Sequence, residues 1–516
     1  MAPKSTTKMN GIPDDRTDPP GDSTSTIDRQ TVAGKRGHVS TRGASNLALP
    51  MPYLADFFTC LSDICHPIGN PQGHIPLAVA ENKLATDLLQ GRLSTIVTAQ
   101  AGFSHSSMDV YSYGSPLGLD VMREATAKFF QERFLQEPSP PAEGDPLMIK
   151  PEHIAIGAGA ICMLSNIVYA LGNTGDAVLI PAPYYAAFDN DLRVYAKCVT
   201  IPVICKDPIK GPTPEDLQAA KVDAETKRGL NVRFLLLTNP HNPLGVIYEP
   251  QVMKDCITWA RSHSMETIVD EIYALSVFDQ SSSSSTPKKF ESVLKLYQND
   301  LGSNDDVHMI WGLSKDFGAS GFRVGVTYTQ NELLMESLSN LITFSWVSHP
   351  IQRMMADLLN DTSFCDKFLL ESNLRLKNSY NICTTTFKEC DIPFVPAQAG
   401  MFVYIDLSEF VKTVDDEMAL NKLFMEKARM VFTPGTTQHD PKVGMYRICY
   451  AYVSPGILLI GMERFKKVIN IVREYLHTQQ DNDKGLFGDK KWIEDESYWK
   501  GILQLSGSTK RPTNNS

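Results

Sequence analysis

The chain has 516 residues, of which 42% are hydrophobic and 21% charged, as in a soluble globular protein large enough for two lobes. Its net charge of −10 argues against nucleic acid as the main partner, because no basic stripe is available to neutralise phosphates. Scattered cysteines without metal-like spacing, no secretory signal and no bilayer-length apolar run predict a cytoplasmic protein with reduced thiols, no metal site and no membrane contact.

Composition divides the chain into four predicted parts. The two ends are rich in polar residues and lack apolar periodicity, which predicts a disordered leader and a polar tail. Trp492 and Trp499 are expected to dock a short helix of that tail onto the body. We expect a leader over 1–50 and a large domain over 51–345, whose N-terminal segment contributes to the small domain. The small domain is expected over 346–478, and the tail over 479–516.

Helix and strand signals alternate along the middle of the chain. "GLDVMREATAKFFQERF", from Gly118, has apolar residues at helical spacing. Uninterrupted apolar runs predict strands buried on both faces, in "DAVLIPAPYY", "VRFLLLTNPHNPLG", "METIVDEIYALSVF" and "VHMIWGLSK". A helix from about 350 precedes two further strands, "IPFVPAQAGMFVYIDL" and "GMYRICYAYV". The predicted fold is α/β, with a mostly parallel sheet between helices and a smaller α+β domain.

One lysine stands in an unusual setting. In "HMIWGLSKDFGASGFRVGV", Lys315 follows an apolar run, and the small residues of 318–321 separate it from Arg323. A surface lysine needs no such setting. A lysine that approaches a bulky planar cofactor, with an arginine nearby for a phosphate, does need it.

The residues that pyridoxal 5′-phosphate requires are present at strand ends. The cofactor needs a carboxylate at its ring nitrogen, groups for the ring hydroxyl, an aromatic face and an anion site for the phosphate. The candidates are Asp270 and Tyr273 in "VDEIY", Asn242 in "NPHNPLG", Tyr184 and Tyr185 in "PAPYYAAF", Ala160 and Ile161 in "IGAGAICML", and Arg323. Arg447 lies in an apolar strand, where an arginine is rarely buried without an anion, so a substrate α-carboxylate would suit it.

Each candidate also has a structural explanation that needs no ligand. Asp270 could cap a helix, with Tyr273 in the core. Asn242 could belong to a plain loop, and the Gly-Ala run before Ile161 could serve close helix–sheet packing. Tyr184 and Tyr185 could pack in the core, and Arg323 could form a solvated ion pair.

Five motifs resemble the fold-type I pyridoxal-phosphate enzymes of the aminotransferase class I/II family. They lie between about residues 70 and 470: "NPQGHIPLAVAENKL", "NPHNPLG", "DEIYALSVF", "SKDFGASGFRVG" and "WVSHPIQRMMADLLND". Within that family the chain is similar to the 1-aminocyclopropane-1-carboxylate (ACC) synthase-like group. The resemblance implies the aminotransferase fold, with a mostly parallel sheet of about seven strands in the large domain.

The resemblance also implies a role for each matching residue. Lys315 would be the catalytic lysine that carries the cofactor, and Arg447 would bind the carboxylate of a small amino-acid substrate. Cofactor-binding residues would be Asp270 at the ring nitrogen, Tyr273 and Asn242 at the ring hydroxyl, Tyr185 on the ring face, and Arg323, Ser314, Ala160 and Ile161 around the phosphate. The family usually has a phosphate-binding serine three positions before the lysine, where this sequence has Gly312.

Two further residues are implied in catalysis and substrate binding. Tyr113, in a Y-x-x-x-x-G context ending at Gly118, matches the tyrosine that reaches the cofactor of the neighbouring subunit. A homodimer with shared active sites would follow. Glu81, in "AEN", matches the position associated with S-adenosylmethionine in ACC synthases.

Three functions are compatible with these residues. The leading one is a pyridoxal-phosphate-dependent lyase of the ACC synthase type, which converts S-adenosylmethionine to ACC and methylthioadenosine. The second is an aminotransferase or deaminating lyase that acts on a neutral or aromatic amino acid. The third is a cofactor-binding protein without turnover.

Overall fold

The computed structural model describes residues 52–98, 111–136, 148–278, 290–299, 304–478, 486–487 and 491–504, together with Gly43 and Asn46. The chain divides into two units, Met1–Leu49 and Pro50–Ser516, and the elements below belong to the second. The predicted leader 1–50 lies almost wholly outside the described residues, and so does the serine run 281–285.

The strands of the described residues form three sheets. Their bounds are β1 Ile75–Pro76, β2 Ile154–Gly157, β3 Ala177–Ala182, β4 Val199–Ile204, β5 Val232–Thr238, β6 Glu266–Asp270, β7 Val307–Gly312, β8 Gly325–Tyr328, β9 Phe394–Val395, β10 Phe402–Asp406, β11 Met430–Val431, β12 Thr433–Pro434 and β13 Met445–Cys449. The largest sheet has seven strands, in the order β2-β8-β7-β6-β5-β3-β4. All its pairs are parallel except the two that β8 makes with β2 and β7.

Both faces of the large sheet are covered. Along β5, Leu235 and Leu237 point into one core, and Phe234 and Leu236 point into another. Alternate residues of a strand face opposite sides of the sheet, so strands covered on both sides are apolar throughout. The four apolar runs in the sequence are β3, β5, β6 and β7. The predicted α/β fold with a mostly parallel sheet is therefore confirmed.

Helices supply the outer layers. They are Pro52–Cys60, Thr86–Thr98, Asp120–Arg133, Ala160–Leu171, Phe188–Arg193, Pro214–Arg228, Pro250–Ser262, Val293–Asn299, Leu313–Asp316, Glu332–Ile342, His349–Asn360, Thr362–Glu389, Val414–Leu423, Pro455–Thr478, Lys491–Glu494 and Glu496–Trp499. The helix expected from Gly118 begins at Asp120 and buries Met122, Ala125 and Phe129, as its apolar spacing predicts. Within the described residues, no helix is both long and apolar enough to cross a bilayer.

A second lobe is built on the four-stranded antiparallel sheet β12-β13-β10-β9. Its core also contains Ile75 and Leu77 from the N-terminal part of the chain, because β1 pairs in parallel with β11. Trp492 and Trp499 are buried against this lobe, and the Trp492 ring stacks on Tyr475 at 4.3 Å. The domain boundaries given above stay predictions.

Candidate active site

A cavity of about 170 Å³ lies at the carboxyl ends of the central strands. Thr238 and Asp270 end β5 and β6 and face each other in register. Parallel strands end at the same edge of a sheet, which is why side chains distant in sequence meet there. Ten of the predicted site residues line this cavity: Ala160, Ile161, Tyr185, Asn242, Asp270, Tyr273, Ser314, Lys315, Arg323 and Arg447.

Lys315 lies in the short helix Leu313–Asp316 that follows β7. Its Nζ donates a hydrogen bond of 2.5 Å to the carbonyl oxygen of Ala80. Burial lowers the pKa of Lys315, and the positive charge of Arg447 acts in the same direction. More of the amine is therefore neutral than in an ordinary lysine, as proton abstraction requires.

The neighbouring carboxylate fixes this turn. Asp316 accepts hydrogen bonds from Nε1 of Trp311 at 2.8 Å and from the hydroxyl of Ser276 at 2.7 Å. Ser276 belongs to the segment that follows Asp270. Asp316 therefore ties the Lys315 turn to the segment that follows Asp270, a carboxylate that lines the cavity.

Asp270 is a half-buried carboxyl group without a cationic hydrogen-bond partner among the described residues. Burial raises its pKa to about 7, and its Oδ1 accepts a hydrogen bond of 3.1 Å from the backbone N–H of Ile272. A turn follows Asp270, so it does not cap a helix as the alternative interpretation supposed. Tyr273 lines the cavity too, with its ring edge-on to Phe402 at 5.3 Å. A protonated ring nitrogen would be a suitable partner for this carboxylate.

Arg447 is 1% exposed and is held by three oxygens. Nη1 donates to Oδ1 of Asn242 at 2.9 Å, and Nη2 donates to the carbonyl oxygen of Ala78 at 2.7 Å and to the Thr433 hydroxyl at 3.2 Å. Its buried Nε has no hydrogen-bond partner, and no carboxylate of the described residues forms an ion pair with it. A buried guanidinium with an unpaired Nε and without a carboxylate partner among the described residues favours the binding of an anion.

The helix Ala160–Leu171 begins beside the guanidinium of Arg323. Gly159 has a φ of 94°, and a side chain there would collide with the guanidinium of Arg323. Arg323 therefore lies directly against the first backbone N–H groups of this twelve-residue helix. Helix N-termini and arginine both favour phosphate. A side chain at Gly325 would likewise collide with the Gly159 backbone, so close helix–sheet packing also explains the glycines.

Three of the candidate residues, Tyr184, Tyr113 and Glu81, do not line the cavity. Tyr184 is a buried core residue whose hydroxyl donates to Asp189 at 2.7 Å, whereas Tyr185 lines the cavity. Tyr113 is 96% exposed and does not line the cavity. Glu81 lies beside the cavity, and its carboxylate accepts a hydrogen bond from Ser320.

At Gly312 a side chain would meet the carbonyl oxygen of Val324 at 2.7 Å, so this chain has little room for the serine of the family.

The structure adds lining residues that the sequence did not single out. Ala78 and Ala80 supply the carbonyl oxygens that Arg447 and Lys315 contact. Thr238 also lines the cavity, and its place at the end of an apolar run could have identified it. Ser320 lines it as well, from within the small-residue stretch of 318–321. The backbone carbonyls of Ala78 and Ala80 could not be identified from the sequence, because every residue has a backbone carbonyl.

The residues present fit pyridoxal 5′-phosphate. The Asp270 carboxylate, whose charged form burial disfavours, suits a protonated ring nitrogen, and Lys315, with its lowered pKa, suits the aldehyde. The helix N-terminus beside Arg323 suits the phosphate. The fold and the cavity together define an α/β enzyme with a site for this cofactor.

Comparison with known proteins identifies the family. Residues 75–465 match the family "Aminotransferase class I and II", and the chain belongs to it. It is 30% identical to a 1-aminocyclopropane-1-carboxylate synthase of Nicotiana tabacum over 89% of each chain. It is 32% identical to 1-aminocyclopropane-1-carboxylate synthase-like protein 1 of Arabidopsis thaliana, over 78% of this chain and 80% of that one.

Solved structures have the same fold. Aspartate aminotransferase from Thermus thermophilus with maleate superposes with a TM-score of 0.66 at 20% identity, covering 84% of this chain and all of that one. An aromatic aminotransferase from Pyrococcus horikoshii gives 0.63 at 19% identity, over 77% and 96%. The predicted family and cofactor are confirmed: the chain is a pyridoxal-phosphate-dependent lyase or transaminase.

Proposed function

We propose that the chain acts at the α-carbon of an amino acid and that its reaction is that of the ACC synthases, from S-adenosylmethionine to ACC and methylthioadenosine. The observation that carries the first part is Arg447, a buried guanidinium on the cavity wall without a carboxylate partner among the described residues. The second part is supported by relatives named ACC synthase at about 30% identity over most of the chain.

Arg447 is suited to orient the substrate. Two of its nitrogens are already held by Asn242, Ala78 and Thr433, so the plane of the guanidinium is fixed before an amino acid binds. Of the five N–H donors of the guanidinium, these contacts use three, so that of Nε and one of Nη1 remain for a carboxylate. The α-carboxylate would take this place, and the α-carbon would then lie toward Lys315.

Lys315 is suited to move the α-proton. In the neutral form that burial favours, its Nζ can accept the proton from the α-carbon. The bound cofactor supplies an electron sink for the pair left behind. We propose that Asp270 holds the proton of the ring nitrogen, that Tyr273 and Asn242 contact the ring hydroxyl, that Tyr185 covers the ring, and that Ser314, Arg323 and the turn of Ala160 and Ile161 hold the phosphate.

The proposed reaction balances without another reactant. The Cα–H bond breaks with transfer of the proton to Lys315, and a bond forms between Cα and Cγ. The Cγ–S bond breaks, and its electron pair stays on sulfur, which leaves as the neutral thioether. We propose that Glu81 faces the cationic sulfur before this step.

We further propose a cytoplasmic homodimer in which Tyr113 completes the site of the partner. Tyr113 is 96% exposed and rests edge-on against Trp346 at 5.9 Å, so its hydroxyl is available to a second copy. All ten cysteines are free, as expected for a protein in a reducing compartment.

Mass spectrometry of the products tests the reaction. Purified protein loaded with cofactor is incubated with S-adenosylmethionine, and Lys315→Ala serves as the control. ACC and methylthioadenosine, both absent in the control, are the expected result. A keto acid that forms only with a 2-oxo acid acceptor would replace the proposal by transamination. A cofactor spectrum without any product from amino acids would indicate a protein without turnover.

A further inference from the structure

A carboxylate beside the cavity is held by a serine and partly offset by a lysine. Glu81 follows Ala80, which lines the cavity, and its Oε1 accepts a hydrogen bond from the hydroxyl of Ser320, another lining residue. Its Oε2 lies 3.4 Å from Nζ of Lys83. The charge of Glu81 also reaches Lys315, whose protonated form it favours. Glu81 therefore places a negative charge beside one wall of the cavity.

The ammonium group of Lys83 has a defined position. It lies 3.6 Å from the centre of the Tyr452 ring, and the Phe57 ring meets that ring edge-on at 5.5 Å. The backbone N–H of Lys83 donates to the carbonyl oxygen of Ala451 at 2.9 Å. A cation over an aromatic face is attracted by the ring quadrupole. The ring and the backbone contact together keep the positive charge beside Glu81.

Ser320 connects Glu81 to the catalytic turn. It lies between Lys315 and Arg323, and its carbonyl oxygen accepts a hydrogen bond of 3.0 Å from Nη1 of Arg323. The serine hydroxyl can donate only one proton, and it donates it to Glu81. Glu81 is thereby fixed to the turn that carries the predicted cofactor contacts.

We propose that Ser320 and Lys83 set the charge selectivity of the amino-acid site. Ser320 holds the Glu81 carboxylate at the cavity wall, which favours α-amino acids with a cationic side chain, such as a sulfonium. Lys83 offsets part of that charge, so that neutral side chains are also admitted. The inference rests on the proposed binding of the α-carboxylate by Arg447, but it requires no particular product.

Two ligands that differ by one methyl group and one charge provide the test. S-adenosylmethionine and S-adenosylhomocysteine are titrated into cofactor-loaded protein that carries Lys315→Ala, so that no turnover occurs, and their dissociation constants are measured by calorimetry for each variant in that background. In Lys83→Met, the preference for the sulfonium compound is expected to rise about 1.5- to 5-fold, the range for a partly exposed ion pair. Lys83→Arg keeps the charge and should keep the wild-type ratio. Ser320→Ala should lower the ratio, because Glu81 is no longer held.

A double-mutant cycle shows whether Lys83 acts through Glu81. In a Glu81→Gln background, Lys83→Met should leave the ratio unchanged. Three results would each overturn the inference. They are an equal shift of the ratio by Lys83→Met in the Glu81→Gln background, no shift in Lys83→Met alone, and failure of both compounds to bind protein that has the wild-type Lys83 and Glu81. ACC formation is measured in parallel on protein with Lys315 intact, so a shifted ratio without ACC removes the proposed reaction and leaves the selectivity mechanism standing.

Discussion

Oδ1 of Asn242 accepts a hydrogen bond of 2.9 Å from Nη1 of Arg447, and this contact joins the turn after β5 to strand β13 of the second lobe. Asn242 was predicted from the sequence as a cofactor contact, and Arg447 as a substrate contact. A single side chain therefore couples the two proposed binding functions, and the angle of the guanidinium depends on the turn that holds Asn242.

Asn242→Ala should weaken amino-acid binding. A hydrogen bond to a charged group contributes about 1.5–3 kcal/mol, so affinity should fall roughly 10- to 150-fold. Titration of the absorbance of the bound cofactor with an amino acid measures this loss. Thr433→Val removes the longer contact of 3.2 Å to the same guanidinium and should have the smaller effect. An affinity within threefold of the wild type in Asn242→Ala would contradict the role of this contact.

Asp270→Asn should stabilise the cofactor-free protein while weakening cofactor binding. Burial raises the pKa of Asp270 from 3.8 to about 7, so the folded state holds the proton more tightly than the unfolded state. Wild-type stability therefore falls as pH rises from about 4 to 7, by at most about 1.4 kcal/mol per pH unit. Asparagine has no such loss.

Calorimetric melting temperatures at pH 5 and pH 8 separate the two effects. The advantage of Asp270→Asn over the wild type should be larger at pH 8. Asp255→Asn removes an exposed carboxylate from the helix Pro250–Ser262 and should give no such trend. An equal difference at both pH values would show that Asp270 does not titrate in this range.

Gly318→Ala should damage the site, and Gly321→Ala should not. Gly318 has a φ of 63°, and a side chain there would collide with the carbonyl oxygen of Asn82, whereas Gly321 has open space around it. Backbone strain of this kind costs about 1–3 kcal/mol, while substitutions without such a contact stay within about 0.5 kcal/mol. Chemical unfolding and cofactor affinity measure both variants. Similar values for the two would contradict the steric argument.

Trp492→Ala should release the C-terminal segment from the second lobe. Trp492 is 5% exposed, stacks on Tyr475 and donates from Nε1 to the carbonyl oxygen of Leu486 at 3.0 Å. Truncation of a buried tryptophan costs about 3–5 kcal/mol, so tryptic cleavage after Lys500 should accelerate by roughly two to nearly four orders of magnitude. Tyr498→Ala, at a residue 41% exposed, should have a much smaller effect.

The sequence allowed the central part of the site to be predicted, because buried parallel strands have a clear apolar pattern and end at one edge. Asp270, Asn242 and Lys315 were found in this way, and all three line the cavity. The contacts of Ala78 and Ala80 depend instead on pairing between segments hundreds of residues apart, such as β1 with β11. No local pattern records that pairing. Glycine content was also ambiguous, since Gly318 is sterically required and Gly321 is not.

The position of Ala78 and Ala80 has a consequence for biosynthesis. These residues follow β1, which is held by β11, and the backbone of Leu77 accepts a hydrogen bond from Cys449 in β13. A ribosome that adds about 5–20 residues per second exposes the Lys315 turn several seconds before β13. The cavity wall that Ala78 and Ala80 supply is therefore complete only after β11 and β13 have emerged and paired with this segment.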